Sequence, residues 1–439
     1  MKAIIGLIII VVMLVLLMTK KTSVHFTLVI VPCIGALLLG TNLTDLGTYI
    51  GDGLVKVANT GIMLMFAALF FSIMFDAGLF DPLIRRVIKM ANGDPLKILI
   101  GTTAIAMCAH LDGSGASTYL IVVSAMLPVF EAVKMRKIYL ALMAGLSAGI
   151  INMVPWGGPL LRASVVVDKP VNQLYVHLIP VQIVGIICVF LVAVYFGRKE
   201  RKRLSYDKSK KLDMTQITMR KAYEGDPDLD PDLLKRPKRI WINLILVVVV
   251  IASLIFMDIP LSVPFVIGLP LALIINYPDV KLQKKLLEYH APSVVYTTSI
   301  LFCAGVFTGV MSGTGMITAM SEALVDAIPQ SLGKYFAKIL AFLSFPSNFL
   351  FDTDSFYYGV LPILLETAEK FGVSGTSMVY AAMMGHSTIC SACSPLIGSA
   401  WLLVGLVDID FGDLQKVIIP IAWGISLVMI FTSMAIGLF

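Results

Sequence analysis

The sequence predicts an all-α polytopic membrane protein. Its plan is two inverted-topology repeats, each five transmembrane helices plus one re-entrant helical hairpin, with broken helices at the midplane. Three observations carry that prediction. The 439 residues are 58% hydrophobic and only 14% charged, where a soluble domain has about 25% charged residues. The apolar runs of the first half recur in order in the second, so that Gly78 aligns with Gly315, Pro128 with Pro362, Gly145 with Gly385 and Pro155 with Pro395. Four of the runs are interrupted by serine, asparagine, aspartate, glycine and proline. Such backbone is tolerated at membrane depth only inside protein or beside a water-filled cavity.

Taken in order, residues 4–18 and 24–39 are spans joined by Lys20-Lys21. The first is read as a span and not a signal peptide, because no small-residue cleavage site follows it. Residues 41–59, weakly polar with scattered glycines, are expected at the interface, and 60–75 as a span. Residues 97–133 form the first hairpin. Each arm is too short for a bilayer, which needs about 20 apolar residues, and both ends carry basic residues: Lys97 at one, Lys134, Arg136 and Lys137 at the other. Residues 138–167 are a span broken at Asn152-Met-Val-Pro155-Trp156-Gly157-Gly158-Pro159, and 178–197 close the first repeat, 1–197.

A charged stretch, 198–239, is expected to be a mobile cytosolic linker. The second repeat, 240–439, has spans at 240–257 and 263–277, an interfacial segment at 281–291 and a span at 294–311. A second hairpin covers 334–371, a broken helix 376–407 and a last span 417–438. An odd number of crossings per repeat turns the second copy upside down, the plan of secondary transporters with the site where the broken regions meet.

The net charge of +6 is not a nucleic-acid signal, because the basic residues sit in loops where they orient the protein. With 198–239 in the cytosol, Arg85, Arg86 and the first hairpin's base are cytosolic too. Asp45, Asp52 and the 322–326 stretch fall outside with both termini. Lys334, Lys338 and Lys370 depart from the rule. Cys390 and Cys393 have CxxC spacing, but no second ligand pair follows, so small residues at a helix break are the expectation.

The chemistry lies at the four interruptions. In the first tip, Gly113 and Gly115 allow unusual backbone angles. That lets N–H groups and the Ser114, Ser117 and Thr118 hydroxyls converge beside a half-helix N-terminus suited to a carboxylate. Asp112 offers an acceptor for a cation or proton. The competing reading is a turn with serine caps. In the first break, Pro155 and Pro159 remove donors, and Asn152, Trp156, Gly157 and Gly158 become candidate contacts; a proline kink is the alternative. Arg162, just beyond, must be paired. It meets either a substrate carboxylate or, as a structural pair, Asp112. In the second tip, Asp352 and Asp354 stand with Asn348, Thr353 and Ser355, and carboxylates at depth must be protonated, paired or bound to a cation. Ser391, Ser394 and Pro395 mirror the first break. His386 precedes it as a packed residue or a proton carrier, and His110 carries the same two readings.

These residues resemble the citrate–metal:proton symporter family of bacteria. The likeness rests on Leu111-Asp112-Gly113 with Thr118-Tyr119 and 123–128, on the Pro-Trp-Gly-Gly-Pro run with Arg162-Ala163, on Thr353-Asp354 with 356–362, and on Ser394-Pro395-Leu396 with 402–406. Two features depart from it: the Cys390–Ser394 break and the extra acid Asp352. The resemblance implies a multi-pass protein of the bacterial plasma membrane in the ion-transporter superfamily, often a homodimer. It implies proton-driven symport of citrate complexed with a divalent metal. Mg or Ca then travels with citrate, with Asp112 and Asp354 as the carboxylates nearest the metal. No covalently bound cofactor is expected. Alternatives are another organic anion (a dicarboxylate or a gluconate-like acid), sodium coupling, and a cation/proton antiporter or channel. An enzyme is not expected, since no soluble catalytic domain or nucleophile–base pair is present.

Overall fold

The computed structural model describes residues 1–19, 22–79, 81–206, 231–257, 259–260 and 262–439. Lys20, Lys21 and residues 207–230 of the charged stretch lie outside them. The first half comprises α1 (Lys2–Thr19), α2 (Val24–Leu38), α3 (Leu43–Asp76), α4 (Asp81–Ala91), α5 (Pro95–Ala109), α6 (Gly115–Val133), α7 (Lys137–Ile151), α8 (Gly158–Val167) and α9 (Val171–Arg203). The short α10 (Pro231–Leu234) leads to α11 (Ile240–Phe256), α12 (Ser262–Asn276), α13 (Val280–Gly313), α14 (Met316–Ala327), α15 (Gln330–Gly333), α16 (Phe336–Ser344), α17 (Leu361–Lys370), α18 (Gly375–Met383), α19 (Gly398–Val407) and α20 (Phe411–Ala435). Among the described residues there is no strand, and six helices are long and apolar enough to cross a membrane alone.

Helices at corresponding places in the two halves match in length. Helices α2 and α12 have 15 residues each, α3 and α13 have 34, and α8 and α19 have 10. Left-handed glycines follow α3 and α13, at Gly78 and Gly315, and left-handed aspartates end α8 and α19, at Asp168 and Asp408.

Residues 41–59 and 281–291 are not segments separate from the spans that follow them. Each is the first part of a continuous helix, α3 or α13, started by a side-chain cap: Asn42 accepts the Asp45 N–H and Asp279 the Lys281 N–H. The glycines that read as loop signals serve packing instead. A Cβ on Gly53 would stand 2.1 Å from the Gly305 carbonyl oxygen, and one on Gly309 2.3 Å from that of Tyr49. Tyr49 lies against Gly313 and Gly61 against Phe302, while Asp76 Oδ2 is 2.8 Å from His290 Nε2. Contacts that descend in one helix as they ascend in the other make α3 and α13 antiparallel over nearly their whole length.

The described ends of the charged stretch are ordered; the expectation of a mobile linker falls mainly on residues 207–230, outside the described residues. Helix α9 carries the stretch to Arg203, because its basic side chains find fixed acceptors. At the far end Arg236 donates its N–H to the Ala77 carbonyl at 2.9 Å and its Nε to that of Asn276 at 2.8 Å, with the guanidinium over the Tyr277 ring.

The hairpin ends are tied in pairs. Asp94, which caps α5 by accepting the Leu96 N–H, is bonded to Arg201. Arg203 donates to the Lys134 carbonyl just past α6, and the Arg136 N–H donates to Glu200. The start of α5 and the end of α6 therefore meet one turn of α9. In the second half, Phe371 after α17 packs on Gly333 and Phe336 before and at the start of α16. The adjoining Gly375 touches Val167, just before α9 begins. The two bases thus sit near opposite ends of α9, whose 33 residues span about 50 Å at ~1.5 Å per residue.

Candidate functional site

Helix α5 ends in a single tight turn, His110–Asp112, and Gly113 follows with φ 73°. A side chain there would be strained and would also approach the Trp156 carbonyl to 3.3 Å. The Asp112 carboxylate closes the turn. Its Oδ1 accepts the Ser114 N–H at 2.8 Å, and its Oδ2 accepts the Ser117 hydroxyl. Ser114 caps α6, and its carbonyl accepts the Thr118 hydroxyl at 2.7 Å. That spends the only hydroxyl proton of Thr118, so His110 Nδ1, 2.8 Å away, is the donor to it. Gly115 differs from expectation. It is the first helical residue of α6, and its hydrogen is required because a Cβ would stand 2.8 Å from Ser399 Oγ, at the start of α19.

The first break, 152–157, is a compact loop. A Cβ on Gly157 would meet the Asn152 carbonyl oxygen at 2.3 Å. Trp156 is buried, stacks on Phe71 and donates its indole N–H to the Leu111 carbonyl at 2.6 Å. It braces the break against the first tip. Gly158 lets the Arg162 guanidinium fold back over the start of α8, with Nη1 2.7 Å from where a Cβ would be.

In the second tip, Asn348 is fully buried and spends its whole amide on backbone. Its Nδ2 reaches the carbonyls of Ser344, Phe345 and Gly385, and its Oδ1 accepts the Ser387 N–H at 2.8 Å. Asp352 accepts the Ser355 N–H at 2.8 Å, opening a wide helical turn, Ser355–Val360. Beside it Asp354 Oδ1 accepts from Arg162 Nε at 2.7 Å, with both side chains largely buried at 16% and 14% exposure. The sequence left Arg162 a choice between cargo and Asp112. In the structure its partner is Asp354 of the other half.

The second break is longer than the 391–395 expected. Helix α18 stops at Met383, and residues 384–397 wind through turns before α19. Its hub is Ser387, held at φ 55°, which sequence reasoning missed. Its hydroxyl is 2.7 Å from that of Thr353, and its carbonyl accepts Asn152 Nδ2 at 2.7 Å. The available signal was the run Gly385-His386-Ser387-Thr388, which reads as a polar gap inside an apolar span. Ser394 donates to the Asn348 carbonyl at 2.6 Å, and Ser391 is half-buried on the preceding turn. His386 is stacked on Phe356, with Nδ1 2.7 Å from Ser347 Oγ. The Ser347 proton goes to the Ser344 carbonyl, so this histidine also donates from Nδ1.

At the tips and breaks, three of the contacts between the halves stand out. Asn152 to Ser387 ties break to break, Arg162 to Asp354 ties α8 to the second tip, and Gly115 to Ser399 sets the first tip on α19. Asn152, Asn348, Thr353, Ser387 and Ser394 thus fall within one bonded network, with Arg162–Asp354 and Asp352–Ser355 as separate contacts beside it. The first tip is braced on the first break through Trp156. A guanidinium, amides and hydroxyls assembled in this way suit a polyanion. Among the described residues no group of three histidine, cysteine or acidic side chains could hold a metal ion, and the cysteines are free.

The profile of the family described as "Citrate transporter" matches residues 1–385. A "Citrate transporter" of Bacillus subtilis (strain 168) is 40% identical over 438 residues, covering 100% of this chain and 99% of the relative. A "Mg(2+)/citrate complex secondary transporter" of the same strain is 39% identical over 436 residues, covering 99% and 98%. The solved structure of the YdaH transporter of Alcanivorax borkumensis, described as having an unusual topology, superposes with TM-score 0.59 at 13% identity, covering 90% of this chain and 88% of that one, a likeness of fold alone. These matches, with the six long apolar helices, identify a multi-pass membrane protein, and the chain belongs to the citrate transporter family.

Proposed function

We propose that this protein is a secondary transporter that moves citrate as a complex with a divalent cation, coupled to protons, between two upside-down repeats. The observation that carries the reading is the buried ion pair of Arg162 with Asp354. A buried guanidinium must keep a partner, and a cargo carboxylate is chemically the same partner as Asp354. When cargo takes Arg162, Asp354 is released and must be neutralised, by the cargo's cation or by a proton. Release and neutralisation together couple the two fluxes.

The charge balance supports a metal complex. Citrate at neutral pH carries about three negative charges, and a divalent cation leaves about one to bring across a low-dielectric region. One proton then brings the total near zero. In this reading the ion is cargo, brought in by citrate itself. The magnesium–citrate name of one relative points the same way.

The remaining assignments follow from position. Asp112 and Asp352 fix the two tips through Ser114, Ser117 and Ser355. Asn152, Thr353, Ser387 and Ser394 shape the floor, and His386 and His110 brace it from behind. The antiparallel run of α3 against its equivalent α13, with hairpin bases at opposite ends of α9, supports inverted repeats and re-entrant hairpins. A homodimer is the assembly we propose by the same resemblance.

Labelled citrate uptake into proteoliposomes, with and without magnesium or calcium and with and without an inward proton gradient, tests the reading. The expected result is uptake that needs both the metal and the gradient. Citrate flux indifferent to both overturns metal and proton coupling, and absence of citrate flux in every condition overturns the substrate.

A further inference from the structure

A polar cavity lies between the middle of α3, the end of α8 and the start of α9. It has a volume of about 450 Å³, within the ~300–1,000 Å³ typical of small-ligand sites. Its lining includes Lys56, Asn59, Thr60, Asp168, Lys169 and Gln173. Among the described lining residues two lysines stand against one aspartate. Lys56 lies 3.5 Å from Asp168, whose side chain is 76% exposed, a spacing and exposure at which an ion pair is weak and readily exchanged. Among the described residues Lys169 forms no ion pair. The start of α9 borders the cleft, and its cap, Pro170, makes no side-chain hydrogen bond. The cleft is at the end of α9 opposite Arg201 and Arg203.

We propose that this cleft is a superficial capture site for polycarboxylate anions, with Lys56 and Lys169 as the attracting groups and Asp168 as a built-in competitor for Lys56. The inference rests on the proposed citrate transport and adds an entry step to it. An anion or a singly negative metal–citrate complex displaces Asp168 from Lys56 and is held beside α8. Arg162 stands on that same helix, two residues before the cleft-lining Ser164. The attraction is between exposed charges, so added salt weakens it.

The test is initial-rate citrate uptake in proteoliposomes for Lys56→Gln/Lys169→Gln and for Asp168→Asn, at low and at high ionic strength. Asparagine tolerates the left-handed backbone at 168. At low salt the double variant is expected to raise the apparent KM about tenfold, the lower end of electrostatic steering, with kcat unchanged. Asp168→Asn is expected to lower KM. Both differences shrink at high salt. An unchanged KM and salt dependence in both variants, or a loss of kcat alone, overturns the capture site while leaving transport standing. No uptake by the unaltered protein overturns the transport reading and this inference with it.

Discussion

Arg162 and Asp354, 192 residues apart in the chain, are joined by a 2.7 Å bond from Nε to Oδ1 inside the protein. Each would be an uncompensated charge without the other. Arg162→Gln is therefore expected to destabilise by about 3 kcal/mol or more, and Arg162→Gln/Asp354→Asn by clearly less, since no charge is left stranded. Thermal unfolding of the detergent-solubilised variants checks the order. A double variant as unstable as the sum of both singles would show that the pair is not coupled.

Asp112 has two roles that substitution separates. Asp112→Asn keeps an acceptor for the Ser114 N–H and removes the charge. It is expected to fold and to lose at least about tenfold in uptake, the order of one lost charged contact. Asp112→Ala removes the turn closure as well and is expected to cost a further ~1–2 kcal/mol of stability. Uptake and melting measured on the same preparations distinguish the two effects.

The crossing of the breaks depends on glycines with no room beside them. A Cβ on Gly149 would stand 2.6 Å from the Thr388 carbonyl oxygen, and one on Gly385 2.5 Å from the Phe345 nitrogen. Gly149→Ala and Gly385→Ala are expected to destabilise by roughly 1–3 kcal/mol. Gly405 in α19 has nothing within 4 Å, so Gly405→Ala is expected to be neutral or stabilising by up to about 1 kcal/mol. Melting temperatures of the three variants give the comparison.

The first hairpin's base titrates in acid. Burial opposes the charged form of Asp94, but the hydrogen bond and charge of Arg201 outweigh it and hold the carboxyl below its usual value of 3.8. A depressed native value stabilises the fold above pH 3.8, and the stabilisation is lost as pH falls through the lower native value. Asp94→Asn is expected to lower the melting temperature at neutral pH and to flatten the loss below pH 3.8. Melting curves from pH 6 to pH 3 test this.

The parts of the fold that break local rules were legible. Pro155 removes a backbone donor, Gly157 and Gly158 permit the bend, and Pro159 suits the first turn of a new helix, while Gly113 cannot be replaced cheaply at its backbone angle, so the first tip and break stand where the residues put them. Long-range pairing was not legible. Nothing near Arg162 in the chain names Asp354 as its partner, and Ser387 acquires its role only when Thr353 and Asn152 arrive from elsewhere. The glycines of α3 and α13 misled for the same reason. Alone they weaken a helix, and only the facing helix turns them into a packing seam.

The central claim is that cargo exchanges into the Arg162–Asp354 pair. Equilibrium binding of magnesium citrate to the purified protein and to the charge-free Arg162→Gln/Asp354→Asn variant tests it most directly. Saturable binding to the unaltered protein, absent from a variant that melts as a folded protein, is the predicted result. Binding of the same affinity to both would contradict it.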